Sequence, residues 1–293
     1  MPFYQPCMTV RSATFILEYS LLVWILASYS NGDLSIWNYQ TKAIEREITD
    51  VHTNLTRSIR AAKFIAREEW AVVGCQSGRV YVVPYARREK IMTLPNHSEY
   101  PITSLAVHPN QPFVLSASAD KRIRLWNWDV NREDNRWQWT RTVGGHSDYI
   151  NHVMFNPHDN GNTFASASDD GTVKVWDLLS LKCIKVLEEP HSPAPYKSVV
   201  GVLFDCAPDM NPVLLTVSAD EVISFLDATT YKPRYEKINF GIGHAKGFAC
   251  VEVDRKRSLA ITCSGGIAIM QMNEDPVKPA ETGEHAVKAI RSA

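Results

Sequence analysis

The sequence predicts an all-β chain made of repeated four-stranded sheets, and three observations carry that prediction. First, residues 113–126 (Phe-Val-Leu-Ser-Ala-Ser-Ala-Asp-Lys-Arg-Ile-Arg-Leu-Trp) align without a gap on residues 163–176 (Thr-Phe-Ala-Ser-Ala-Ser-Asp-Asp-Gly-Thr-Val-Lys-Val-Trp). Each copy has a run of small residues, an Asp six positions before a Trp, and a second alternating run. Second, weaker copies end at Trp37, Val83, Leu226 and Met270, so successive anchors stand 46, 43, 50, 50 and 44 residues apart. That period sits at or slightly above the ~40–45 residues of one four-stranded unit in a radial repeat array. Third, Ile123, Leu125 and Val173, Val175 alternate with Arg122, Arg124 and Lys174, the period of two that buries one face of a strand.

Local signals agree with the repeat. Ser104–Val107 and His152–Phe155 read as strands, stopped by His108-Pro109 and Asn156-Pro157, since a residue before proline is pushed out of regular structure into a turn. Asp170-Gly171 lies between two alternating runs, where glycine supplies the positive φ of a tight hairpin. No long stretch carries sustained helical periodicity. Six anchors predict about six four-stranded blades of a β-propeller, seven at most, with residues 1–273 as one domain and 274–293 as a flexible C-terminal tail.

Composition narrows the function. The 293 residues are 45% hydrophobic and 22% charged, with 31 Lys+Arg against 32 Asp+Glu and a formal charge of -1. This excludes wholesale disorder and removes the driving force expected of a general nucleic-acid or anionic-membrane binder. The most apolar stretch, Phe15–Ala27, is interrupted by Glu18 and falls short of the ~20 residues of a spanning helix. It also lacks the basic flank of a signal peptide. The sequons at Asn54 and Asn96 read as unmodified. Cys7, Cys75, Cys183, Cys206, Cys250 and Cys263 are scattered without a CxxC pair, poor material for zinc or a disulfide framework, so a reducing, cytoplasmic setting is expected.

Gly145-His146, Asp170 and Trp176-Asp177 resemble the GH…D…WD signature of WD-repeat propellers, with the pattern covering most of residues 10–273. The resemblance implies a hydrogen-bonded structural tetrad inside a blade: His146, Ser166, Asp170 and Trp176 in one, His97, Ser116, Asp120 and Trp126 in another. The repeat ending at Leu226 keeps His191, Thr216 and Asp220 but lacks the Trp, and the one ending at Val83 loses nearly everything.

Several phrases resemble one branch of that family, the coatomer beta-prime subunits. They are Trp24-Ile-Leu, Ser35-Ile-Trp-Asn-Tyr-Gln-Thr41, Arg60-Ala-Ala-Lys-Phe-Ile-Ala-Arg67, Ala106-Val-His-Pro109, Phe155-Asn-Pro157 and Ala228-Thr-Thr-Tyr231. The resemblance implies a role in coat-mediated vesicle transport between Golgi and endoplasmic reticulum, with peripheral placement on Golgi or coated-vesicle membranes. Implied partners are coat subunits and the cytosolic dilysine tails of membrane cargo, with no nucleic acid and no membrane insertion. That branch has seven blades in its first propeller, so a blade is expected to be missing between Lys182 and Ser198. Its ligand site is thinned as well. Arg60 retains one basic position and Glu99 one acidic position, whereas Ser12, Thr14, Thr103 and Ala119 replace charges. A degraded dilysine site is the expectation. The alternative is a generic WD-repeat scaffold or adaptor, of the ubiquitin-ligase type, with no coat role.

Other chemistries find little support. His146, Ser166 and Asp170 invite a Ser-His-Asp reading, but no GxSxG elbow accompanies them, and no HExxH, GxxxxGK[ST] or GxGxxG occurs. No catalysis, cofactor or metal is expected; His152, His158 and Asp159 read as loop residues. Arg87-Arg88 with Lys90, and Arg255-Lys256-Arg257, sit at expected turns without the stacking aromatics of a nucleic-acid groove. The cluster Trp126, Trp128, Trp137 and Trp139 exceeds what one blade needs. Trp126 is the strand anchor, and one of the other three indoles is either an exposed interface anchor or packed beneath the Asn131–Asn135 loop.

Overall fold

The structure is a computed structural model. It describes residues 10–18, 21–29, 31–49, 58–85, 91–94, 97, 99–128, 138–188, 198–205, 212–234, 237–239, 241, 243–253, 256–272 and 288–290, of which residues 10–18, 21–23, 138–140, 250–253, 256, 257, 271, 272 and 288–290 are described by backbone only. The chain divides into two compact units, Met1–Gly145 and His146–Ala293.

In the first unit, β1 (Val10–Glu18), β2 (Leu21–Tyr29), β3 (Leu34–Asn38) and β4 (Ala43–Ile48) form one antiparallel sheet in sequence order. A second sheet joins β5 (Ile59–Ile65), β6 (Trp70–Cys75), β7 (Val80–Pro84) and β8 (Met92–Thr93), and a third joins β9 (Ile102–Val107), β10 (Phe113–Ser118), β11 (Arg122–Asn127) and β12 (Gln138–Gly145). The second unit repeats the plan. Its sheets are β13 (Ile150–Phe155), β14 (Thr163–Ser168), β15 (Thr172–Asp177), β16 (Cys183–Glu188); then β17 (Val199–Asp205), β18 (Val213–Ser218), β19 (Val222–Asp227), β20 (Ile238–Asn239); then β21 (Ala245–Val253), β22 (Lys256–Cys263), β23 (Gly266–Met272), β24 (Lys288–Ile290). These are six four-stranded blades of propeller type, and β16 and β17 belong to consecutive blades. Residues 288–290, within the segment expected as a tail, pair as the fourth strand of the last sheet.

Burial on both faces explains the sequence of the second sheet. Ala71 and Val73 pack on one side with Leu26, Leu34 and Ile36 of the first sheet. Val72 packs on the other side with Ile102, Leu105 and Trp126 of the third. Successive side chains of a strand point to opposite faces, so a doubly covered strand reads as a continuous apolar run. The inner strands approach closely: a Cβ at Gly74 would collide with Ile102, and one at Gly201 with the Phe248 ring.

Polar side chains close the turns. Asp177 Oδ1 accepts from Ser180 N at 2.7 Å, Asp227 Oδ1 from Thr229 N at 3.0 Å and Thr230 N at 2.6 Å, and Asn38 Oδ1 from Gln40 N at 2.9 Å and Thr41 N at 3.0 Å. The Asp of Trp176-Asp177 is therefore a turn cap. His108 Nδ1 accepts from Gln111 N at 2.8 Å, and Asn156 Oδ1 from His158 N at 3.1 Å, which is how the His-Pro and Asn-Pro pairs end their strands. At the hairpin after Asp170, Gly171 holds φ 83°, but Lys121 and Glu221 hold φ 69° and 70° at the equivalent positions. Those two turns bear the left-handed strain that glycine avoids.

Candidate functional site

In the third sheet, strand pairing sets Ser116 on β10 beside Arg124 of β11, with Trp126 two residues further along. Trp126 Nε1–H donates to Ser116 Oγ at 2.9 Å, His97 Nε2 lies 2.6 Å from the same oxygen, and His97 Nδ1 lies 3.0 Å from Asp120 Oδ2. One proton arrangement satisfies the chain. Nδ1–H donates to the carboxylate, the serine hydroxyl donates to Nε2, and serine accepts from the indole. Asp120 Oδ1 also accepts from Arg122 N at 3.0 Å, holding the hairpin. Burial pushes the His97 pKa down, although the hydrogen bond and charge of Asp120 oppose it.

The fourth sheet carries the same network. Trp176 Nε1–H donates to Ser166 Oγ at 2.8 Å, His146 Nε2 is 2.7 Å from that oxygen, and His146 Nδ1 is 2.9 Å from Asp170 Oδ2. Asp170 also accepts from the Thr172 hydroxyl at 2.6 Å and from Ser147 N at 2.9 Å. Burial raises the pKa of Asp170, but the Thr172 hydroxyl, the Ser147 amide and the charge of His146 outweigh it and hold it at about 2. His146 is itself lowered by burial.

The connectivity is that of a Ser-His-Asp triad, and its surroundings argue against nucleophilic use. Ser116 and Ser166 are both 0% exposed, and each hydroxyl already bridges an imidazole and an indole. A nucleophile needs a free approach and donors for the developing oxyanion; here the fourth member of the network occupies the approach.

The remaining sheets depart from this pattern. In the fifth, Thr216 is buried, the Ser218 hydroxyl donates to Asp220, Leu226 takes the tryptophan position, and His191 lies outside the described residues. In the first, Trp37 Nε1–H donates to Ser35 Oγ at 2.7 Å while the Tyr29 hydroxyl lies 2.9 Å from it. Sequence reading missed this set, although the Ser35-Ile-Trp37 spacing places both side chains on one strand face. His244 of Gly243-His244 is exposed, and its Nδ1 lies 2.8 Å from Ala219 O.

The candidate tail contacts Arg60 and Glu99 are both exposed. Arg60 stands where the pairing of β5 slips between Ile59 and Ala61, and its guanidinium donates to Gln76 Oε1. The first strand of every sheet slips likewise, at Arg11, Thr103, Asn151, Val200 and Lys246. Such a bulge re-aims one side chain out of the ladder. Thr103 thus occupies in the third sheet the position that Arg60 holds in the second. Ala119 is 7% exposed. Ser12 and Thr14 pair through their backbones with Ser28 and Leu26.

Of the tryptophan cluster, Trp126 and Trp128 are buried. The Arg67 guanidinium lies 4.8 Å over the Trp128 ring and donates to Pro109 O at 3.2 Å and to Gln111 O, while Trp128 Nε1 reaches Glu68 at 3.4 Å. Trp137, the Asn131–Asn135 loop, Arg87, Arg88, Lys90 and Arg255 lie outside the described residues, as do the side chains of Trp139, Lys256 and Arg257. Among the described residues no three His, Cys, Asp or Glu side chains gather as a metal-ligand set, and no helix is long and apolar enough to cross a membrane. His152 lies on β13, paired with Ala167, and not in a loop; it packs edge-on against Phe248, and His158 Nε2 donates to Asp205 O at 3.1 Å.

The WD domain, G-beta repeat family model matches residues 88–127 and 137–177, the segments that contain both complete networks. Those two segments are each similar to a WD repeat. The chain is similar over 157 residues, 53% of its length, to putative coatomer subunit beta'-3 of Oryza sativa subsp. japonica at 44% identity. Coatomer subunit beta'-2 of Arabidopsis thaliana (43%) and coatomer subunit beta' of Rattus norvegicus (40%) match over the same length. The matched region is 16% of each of these relatives.

Proposed function

We propose that the chain is a non-enzymatic protein-interaction module of the coat type, acting in vesicle transport between Golgi and endoplasmic reticulum from the cytosolic side, with a dilysine site too depleted for tight cargo binding. The likeness to coatomer beta' subunits supports the coat role. The observation that carries the second half is that bulge position 103 is Thr and residue 119 is a buried Ala. A lysine ammonium or a terminal carboxylate set against such residues forfeits charge-assisted hydrogen bonds of about 1.5–3 kcal/mol each. Two losses lower affinity on the order of 10²- to 10⁴-fold. Arg60 remains, and one exposed ion pair contributes only ~0–1 kcal/mol.

Residues 1–273, with the strand at 288–290 that completes the last sheet, are proposed to act as one propeller domain, and the two complete networks to serve stability. Coat association is tested by co-sedimentation with assembled coatomer; absence from the coat fraction returns the chain to the generic scaffold reading. Cargo binding is tested by isothermal titration with a peptide ending in a dilysine signal, against a control with both lysines replaced by serine. Feeble, equal heats are expected. Micromolar affinity that vanishes in the control would restore full cargo recognition.

A further inference from the structure

Two side chains cross between neighbouring sheets at equivalent places, one in each unit. In the first unit it is Arg67, in the single 3₁₀ turn Ala66–Glu68 between β5 and β6. Its guanidinium donates to His108 O at 3.4 Å, to Pro109 O at 3.2 Å and to Gln111 O, all in the turn between β9 and β10 of the third sheet. That turn directs two of its amides onto one ring atom, with Asn110 N and Gln111 N donating to His108 Nδ1 at 3.1 and 2.8 Å. Its carbonyls go to Arg67. The same guanidinium lies 4.8 Å over the Trp128 ring, and Trp128 Nε1 reaches back to Glu68 at 3.4 Å.

In the second unit His158 takes this place. Arg67 stands seven residues after the slip at Arg60, and His158 seven after the slip at Asn151. Their acceptors correspond as well, since His108 and Asp205 each stand five residues after the slip of the following sheet, at Thr103 and Val200. His158 Nε2 meets Asp205 O at 3.1 Å. Each clasp therefore joins a sheet with a complete network to one without it, the third to the second and the fourth to the fifth.

The second sheet depends most on such borders. Val73 and Val83 stand in it where the third sheet has Ser116 and Trp126, and its outer strand β8 pairs over two residues only. Its side-chain polar bonds lie at its margins instead: besides Arg67, Arg46 of β4 donates to Tyr85 O. A small sheet held by apolar cover loses its own order once that cover is lifted.

We propose that the Arg67 clasp is a conformational latch: the second sheet opens as one unit ahead of the rest of the chain, and Arg67 sets how often it does so. The latch requires a guanidinium, because the planar fork reaches several carbonyls while its face stacks on the indole. Lysine keeps the charge and cannot do both.

Native-state hydrogen exchange of the full chain, read by mass spectrometry over a low-urea series, tests this. In the wild type, amides of β5, β6 and β7 should share one opening with a shallower urea dependence than global unfolding. Arg67→Met should speed that opening about tenfold or more, and Arg67→Lys should resemble Arg67→Met rather than wild type. His158→Leu, in the equivalent clasp, should leave the β5–β7 opening unchanged. The proposal is overturned if β5–β7 exchange only by global unfolding, or if Arg67→Met leaves their opening as it was. It is also overturned if Arg67→Lys exchanges like wild type, or if His158→Leu speeds β5–β7 as much as Arg67→Met does. Should Arg67→Met fail to fold, the wild-type series and Arg67→Lys decide.

Discussion

The second and third sheets lie in one unit, share an apolar cluster and have the same strand order, yet different chemistry holds each together. Counted from the register slip of the first strand, Val73 in β6 stands where Ser116 stands in β10, and Val83 in β7 stands where Trp126 stands in β11. The third sheet thus carries a buried polar network, and the second replaces two of its members with valine. Both make four-stranded blades. The comparison teaches that the network is one way of filling the space between strands, stable because every donor and acceptor in it is matched. An apolar set of similar volume is another. A mixture of the two should be worse than either.

Breaking the network at its largest member should have the greatest effect. Trp126 is fully buried, so Trp126→Ala opens a cavity and removes the indole donor from the Ser116 oxygen, lowering stability by about 3–5 kcal/mol; urea denaturation measures it. Asp170→Ala, in the equivalent network, should cost ~1–3 kcal/mol by leaving buried donors unmatched. An unchanged unfolding midpoint with a selective binding defect would instead make Asp170 a ligand residue. The converse change, Val73→Ser, introduces one network member without its partners and should cost about 1–3 kcal/mol. A neutral result there would show that the second sheet tolerates half a network.

Acid should weaken the sheets that carry the network. His97 and His146 are held below the usual histidine value of 6.5 by burial, so their neutral forms contribute stability that is fully present above that pH. It is lost as pH falls and the unfolded chain takes up protons more readily. Asp170, depressed to about 2 from 3.8, contributes above ~4 and loses that contribution as pH falls through about 2. After discounting for partial solvent screening this is on the order of 1–2 kcal/mol. Unfolding midpoints recorded from pH 7 to 2 should decline in both windows, and His146→Gln should flatten the upper one.

The smallest effect concerns the turns. Lys121→Gly removes a side chain from φ 69° and should leave the chain unchanged or more stable by up to ~1 kcal/mol. Destabilisation would mean that the Lys121 side chain makes a compensating contact.

Much of this was legible because it is written locally. The residues that meet in the two complete networks are tied by short, repeated spacings, such as Asp six before Trp and Ser ten before it. Strand alternation and Pro-marked turns mark the blades in the same way. The sequence also showed where the pattern fades. It did not show what replaces it, because a valine that fills a lost network and an ordinary core valine look alike.

Sequence alone determined the all-β class, the six repeats, and the residue types at each network position, since periods of two and of some 45 residues need no knowledge of what packs where. Tertiary structure alone decided the rest. The slip that lifts Arg60, Thr103 and Asn151 out of their ladders depends on how a strand registers with its neighbour. Tyr29 joins Ser35 and Trp37 only once the first hairpin forms, and Arg67 stacks on Trp128 only when two sheets meet. A contact between residues far apart in the chain leaves no periodic trace, because nothing but packing brings its members together.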